Sequence, residues 1–336
     1  MARMLILRSA GIGDVAMLVH AVRALRQTYP ELEIVIATKP RLSALFTGIE
    51  GLQFIEIKGF GQLMRDIRAA RPDGVADLRN ELRGKLVRLF MRIKGVPCAK
   101  YRQRYAQRRP LLRPRNKQLL WLENNVLRFC DVFAELGYPV APPALARWEA
   151  PLPAVFGEKE GRWAGFAPFA ASALKIYPEP QRTGLVKQLA ARYDKVFLFS
   201  GGGQELAFCQ RMASACPNVV PVFKKTDLAG EVSLMARLDV MITMDSSAMH
   251  MASLAGAPLL AIWGSTHPAV GYSAWGADPA RNYLQLDLPC RPCSVYGEGK
   301  CRLGGCPCLR DISVESILAK ADTLTASVGN GPESGQ

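Results

Sequence analysis

The chain has 336 residues, 49% of them hydrophobic and 21% charged, which excludes a disordered or fibrous protein and suits two domains. Its 43 Lys and Arg against 29 Asp and Glu leave a formal charge of +14. The excess is local: residues 79–117 hold 14 Lys and Arg and a single acid, Glu81, while the 186 residues after position 150 hold 17 basic and 16 acidic side chains. Such a patch points to a polyanionic partner, either nucleic acid or an anionic membrane surface.

In chain order, Met4-Leu5-Ile6-Leu7 reads as a buried strand. This apolar run is too short for a signal peptide, and no stretch of about 20 apolar residues follows anywhere, so a cytoplasmic protein is expected. A turn, Ser9-Ala10-Gly11-Ile12-Gly13-Asp14, leads into a helix with Val15, Leu18, Val19, Val22 and Leu25 at helical spacing, ended by Pro30. Ile34-Val35-Ile36-Ala37 is a second strand, which completes a βαβ unit. The basic stretch then interrupts the alternation. Pro139, Pro142, Pro143, Pro151 and Pro153 mark residues 137–153 as a linker. Beyond it the alternation resumes. Strands are expected at 163–166, 196–199, 240–244 and 258–262, with helices at 180–192, from 204, at 228–238 and at 246–255. The expected domains are 1–150 and 151–327, and ligands in such folds sit at the carboxyl ends of the strands.

Three loops hold chemistry. Gly11 and Gly13 let the backbone approach a ligand at a helix N-terminus, although the pattern is neither G-x-G-x-x-G nor a Walker loop. Asp14 there is either a helix cap or a general base. Lys175 follows the strand at 163–166 among small residues, as a phosphate-neutralising cation or a surface Lys. Asp245-Ser246-Ser247-Ala248-Met249-His250 runs from a buried strand into a helix whose first N–H groups face an anion; Ser246 is alternatively only the cap, and His250 only a packed residue. Five cysteines crowd the tail as C-x2-C-x7-C-x4-C-x-C. Cys290, Cys293, Cys301 and Cys308 are candidate ligands for a structural zinc, against a bland reading as reduced thiols.

Together these loops resemble glycosyltransferase family 9, the bacterial lipopolysaccharide heptosyltransferase-like enzymes. The resemblance rests on Gly11-x-Gly13-Asp14, Lys175-x-Tyr177-Pro178, Ser200-Gly201-Gly202 with Glu205, Asp245-Ser246-Ser247-x-x-His250 and Trp263-Gly264-Ser265-Thr266-x-Pro268, in that order. It implies a GT-B fold of two Rossmann-like doubly wound domains facing a central cleft. It also implies an inverting transfer that needs no metal, from a nucleotide sugar, commonly ADP-heptose, to a lipopolysaccharide-core or related glycan acceptor. The donor would lie on the second domain and the acceptor on the first. Asp14 would be the general base. Lys175 and the N–H groups around Ser246, Ser247 and Ala248 would neutralise the diphosphate. Glu205 would meet the ribose, Thr226 to Leu228 the adenine, and Asp245 and His250 would line the site. The basic strip, with Arg104, Arg108 and Arg109, would face the acceptor and the anionic inner membrane, making the enzyme cytoplasmic or peripheral. The sequence departs from the family where Ser246-Ser247-Ala248 replaces Thr-Gly-Leu and where Tyr177 replaces a common Trp. The rival readings are a nucleic-acid-binding protein using residues 79–117, which lacks a recognisable reader fold, and a nucleotide-sugar binder without catalysis, against which Asp14 argues.

Overall fold

A computed structural model describes residues 2–9, 11–113, 115–142 and 148–329. The chain forms two compact units: Met1–Tyr105 with Glu123–Ala144, and Ala106–Leu122 with Leu145–Gln336.

The first unit is built on a parallel sheet of β1 (Arg3–Leu7), β2 (Glu33–Thr38), β3 (Leu52–Glu56), β4 (Gly74–Asp77) and β5 (Cys98–Lys100), in the order β3-β2-β1-β4-β5. Its helices are α1 (Ile12–Thr28), α2 (Pro40–Ser43), α3 (Phe60–Ala70), α4 (Leu82–Ile93) and α6 (Asn125–Ala134). α5 (Tyr105–Leu112) belongs to the second unit from its second residue onward. The sequence reading that the basic stretch breaks the alternation is corrected: α4 and β5 continue it. Val87 and Met91 turn one face of α4 onto the same cluster as Leu5, Val35 and Val75, so its cations ride on a helix packed against the sheet.

The second unit holds β6 (Trp163–Ala167), β7 (Lys195–Leu198), β8 (Val219–Pro221), β9 (Val240–Met244), β10 (Leu259–Ile262) and β11 (Tyr283–Leu284). All pairings are parallel, and the order is β11-β10-β9-β6-β7-β8. The helices are α7 (Glu179–Ala190), α8 (Gln204–Ala215), α9 (Leu228–Met235), α10 (Ser247–Ala255), α11 (Pro279–Asn282), α12 (Pro307–Arg310) and α13 (Val314–Gly329). β6, β9 and β10 are buried on both faces, as a parallel sheet between two helix layers requires. In both units the strand order reverses direction beside the first strand, between β1 and β4 and between β6 and β9. These are the places where doubly wound sheets open a crevice.

A single division at 150 places residues 106–122 in the first domain; the structure places them in the second unit. Leu111 packs with Ala269 and Val270, and the Arg108 guanidinium sits over the Tyr272 and Tyr296 rings. Amphipathy shows that such a segment has a partner, but not which one. The chain passes into the second unit again within the proline-rich stretch; residues 143–147 there, Pro143 among them, lie outside the described residues, as does Ala10 of the first turn. Among the described residues no helix is long and apolar enough to cross a membrane.

Candidate active site

In the first unit, β1 delivers Arg8 and Ser9 to the turn, and Gly11 caps α1 with φ 83°. A Cβ on Gly11 would lie 2.5 Å from Asp14 Oδ2, so both the backbone and the carboxylate require glycine here. Gly13 is the second residue of α1. Asp14 lies in the first helical turn, where a carboxylate suits the helix dipole, but it does not cap the helix. Its Oδ2 forms an ion pair with the Arg8 guanidinium. Arg8, itself buried, donates to the carbonyl of Leu78 and so ties Asp14 to the residue after β4. The capping reading of Asp14 is thereby set aside.

Across the switch point, Asp77 is 1% exposed and pairs with Arg88. It also accepts the N–H groups of Arg79 and Asn80, which folds the start of the β4–α4 loop. A shallow depression lies here, bordered by Arg8, Ser9, Asp77, Arg79, Glu81 and Arg83. The strand ends of the first unit therefore present a fixed carboxylate, Asp14, beside a hollow bordered by three arginines and by the acids Asp77 and Glu81.

In the second unit, the loop after β6 turns through Ala173–Lys175, and Lys175 Nζ stands 3.4 Å from Asp245 Oδ2, at the end of the neighbouring strand β9. Both side chains are about one-tenth exposed. Asp245 Oδ2 also accepts the Thr266 hydroxyl at 2.6 Å. Ser246 is the N-cap of α10 but makes no side-chain capping bond, and its buried Oγ has no hydrogen-bond partner among the described residues. The first-turn N–H groups, those of Ser247 and Ala248, have no partner within the helix. His250 is buried one turn further along. The structure thus brings together Lys175, Asp245 and the open end of α10.

The other predicted residues occupy neighbouring strand ends. Gly201 and Gly202 lie in the loop between β7 and α8, where Glu205 Oε2 accepts the Gly201 N–H at 2.6 Å. Thr226 precedes α9, whose cap is Asp227, and Leu228 is largely buried as its first residue.

Sequence reasoning missed Arg8 and Arg291, and gave Thr266 only as part of a motif, without a role. Arg8 carried a signal, a charge directly after a buried strand. Arg291, 6% exposed, donates to the carbonyls of Gly264 and Thr266 and to Gln285 Oε1, so it pins the loop that supplies Thr266 to Asp245. His267, next in that loop, accepts the Ala269 N–H on Nδ1. Burial, then the charge of Arg291, pushes its pKa from 6.5 down to about 4. The unfolded chain takes up this proton at a higher pH than the folded chain. Stability from this residue is therefore complete above 6.5 and is lost as pH falls toward 4, by up to about 3 kcal/mol. Denaturant unfolding should show that loss, and His267→Asn, whose side chain accepts the same N–H without titrating, should reduce it. An unchanged pH dependence in that variant would remove His267 as the cause.

At Cys290, Cys293, Cys301 and Cys308, the expected zinc ligands, the side chains are placed as follows. Cys293 Sγ and Cys301 Sγ turn to the carbonyls of Cys290 and Gly304. Cys308 packs into the core with Leu309 and Ile312, where burial pushes its thiol up to about 12. Among the described residues no group of three or more His, Cys, Asp or Glu side chains is placed to hold a metal ion.

The basic strip is also redrawn. Arg104 pairs with Glu123 and Asp131, Arg102 with Glu135, and Arg79 with Glu81. Arg88 and Arg108 are buried, and Lys117 donates to the carbonyls of Cys290 and Pro292. Of the three arginines singled out from the sequence, Arg109 alone is exposed without a described ion pair.

Residues 60–300 match the family model of glycosyltransferase family 9 (heptosyltransferase). The chain is 21% identical over 292 residues to the lipopolysaccharide core heptosyltransferase OpsX of Haemophilus influenzae, covering 78% of this chain and 79% of that protein. Its fold matches the ADP-heptose lipopolysaccharide heptosyltransferase II of E. coli, with TM-score 0.72, 22% identity, and 98% of this chain and 100% of that one covered. It also matches the E. coli heptosyltransferase WaaC solved with ADP, with TM-score 0.62 and 18% identity over 84% of this chain and 92% of that one. The α/β fold with two parallel sheets is thus that of GT-B heptosyltransferases.

Proposed function

The chain belongs to glycosyltransferase family 9, and we propose that it moves a heptose-like sugar from ADP-heptose to an acceptor of the lipopolysaccharide core or a related glycan, with inversion and without a catalytic metal. The names of its relatives support the substrates: a lipopolysaccharide core heptosyltransferase, an ADP-heptose heptosyltransferase, and an enzyme solved with ADP. The observation that carries the reading is the Lys175–Asp245 pair beside the open N-terminus of α10, a ready cradle for a diphosphate.

In this mechanism Lys175, the Ser246 hydroxyl and the N–H groups of Ser247 and Ala248 bind the diphosphate. Asp245 holds Lys175 in place, and His250 supports the helix beneath. Glu205 keeps one oxygen on Gly201 and offers the other to the ribose, and Thr226 and Leu228 border the adenine. The Gly11–Gly13 turn sets Asp14 for the acceptor. The acceptor oxygen attacks the anomeric carbon, its proton passes to Asp14, and the bond from carbon to the diphosphate oxygen breaks. The charge that develops on the leaving group is met by Lys175 and the helix end, the strongest kind of electrostatic assistance available to a metal-free site. The loops contain no Asp-x-Asp pair with which Mg2+ would bridge a diphosphate. Such acceptors place the reaction at the anionic cytoplasmic face of the inner membrane, with no part for nucleic acid.

Calorimetric titration with ADP, UDP and GDP tests the donor. ADP should bind at least about tenfold more tightly than the others, a gap of about 1.4 kcal/mol. Equal affinities would contradict an ADP-sugar donor.

A further inference from the structure

We propose that α4 is a membrane-docking helix that lies in the plane of an anionic bilayer and sinks one apolar stripe into it. Leu82, Leu86, Leu89 and Ile93 recur at intervals of four, three and four residues, so they form one line along the helix. They are 71%, 43%, 59% and 77% exposed. The opposite face, Val87 and Met91, is buried on the sheet. The helix is therefore apolar on two opposed sides, and only one of them is used by the fold. A helix that is merely solvated has no need of the second side.

The charges beside the stripe identify what covers it. α4 contains no acid, and Arg83, Lys85 and Arg92 flank the stripe, with Lys94 at the C-cap, all exposed. Lys85 and Arg92 lie on one flank; on the flank of Arg83, Phe90 lies under Arg68, at 4.6 Å from the guanidinium to the ring centroid. Aliphatic side chains in a row with cations along both margins match a bilayer surface, where the chains enter the headgroup–acyl boundary and the cations meet lipid phosphates. A second copy of α4 would bring the same cations against these. Nucleic acid would answer the cations but leave four aliphatic side chains without a partner. The proposal deepens the membrane reading given above and rests on it for its purpose, because it names which residues meet the lipid and how. It also moves the contact from Arg104 and Arg108, which are paired or buried, to α4.

Vesicle flotation tests it on the full chain without nucleotide, using phosphatidylglycerol-containing and pure phosphatidylcholine vesicles at low and high salt. The unmodified chain should bind the anionic vesicles at least about tenfold more tightly. Leu86→Ser/Leu89→Ser should lose roughly tenfold or more of that affinity at either salt. Lys85→Gln/Arg92→Gln should lose about fivefold per charge at low salt and little at high salt. Leu89→Trp should fluoresce further to the blue on binding and be quenched by brominated lipid. All four positions are exposed, and only Arg92 has a described hydrogen bond, to the carbonyl of Cys98, so far-ultraviolet dichroism should be unchanged and thermal unfolding should shift little. Full vesicle binding by the Ser variant, or none by the unmodified chain, would overturn the proposal. So would a dimer in sedimentation velocity that the Ser variant abolishes, since the stripe would then cover a second copy. ADP binding is measured on the same samples. Its failure alone would remove the transfer reading and leave docking standing, and failure of vesicle binding alone would do the reverse.

Discussion

Asp14→Asn should lower turnover by about 10²- to 10⁴-fold while leaving ADP affinity unchanged. The amide keeps the size of the side chain and its contact with the turn, but it has no basicity with which to take the acceptor's proton. Asp14 is 29% exposed, so it is reachable, and Arg8 holds it in one orientation from below. Removing the carboxylate leaves the Arg8 guanidinium with the carbonyl of Leu78 as its described acceptor. Because the pair is partly solvated, the cost to stability should be modest, about 1 to 2 kcal/mol. Chemical denaturation of the variant separates that cost from the loss of turnover. Turnover within a fewfold of the unmodified enzyme would exclude Asp14 as the base. Parallel loss of ADP binding would mean that the turn serves the fold rather than the chemistry.

Lys175→Met should weaken ADP by about 1.5–3 kcal/mol, the range for a charge-assisted hydrogen bond, or roughly 10- to 150-fold in affinity. The variant also strands a carboxylate: Asp245, 9% exposed at its side chain, would retain Thr266 but lose its cation. Breaking a buried pair on one side costs more than removing both partners. Lys175→Met/Asp245→Asn should therefore regain most of the lost stability and none of the lost ADP affinity. This contrast distinguishes a diphosphate-binding cation from a purely structural one. If the double variant binds ADP normally, Lys175 does not touch the diphosphate.

The legible parts of the fold were those written in contiguous residues. A buried strand, a glycine turn, a helix and a second strand within about 35 residues declared the first βαβ unit, and the Asp245–His250 run declared a helix end open to a ligand. α4 was hidden because its outward stripe and its cations blur the period that its buried Val87 and Met91 would otherwise show. The crossing of residues 106–122 into the second unit was equally hidden, since the match of Arg108 to Tyr272 and Tyr296 spans more than 160 residues. The candidate site divides along the same line. Asp14, Lys175 and Asp245 stood in recognisable loops. Their supports, Arg8 across a glycine turn and Arg291 holding Thr266 to Asp245, exist only after folding. The cysteine spacing fixes reach but not direction: two of these thiols turn to backbone carbonyls while Cys308 faces the core.

The proposed reaction is a single in-line displacement at a metal-free site with Asp14 as the base. The most direct measurement is proton NMR of the transferred sugar's anomeric centre, followed in EDTA with ADP-heptose and a lipopolysaccharide-core acceptor, for the unmodified enzyme and for Asp14→Asn. The unmodified enzyme should release ADP and give a product of inverted configuration, with neither formed at a comparable rate by the variant. A product of retained configuration, or transfer that appears only when Mg2+ is restored, would contradict it.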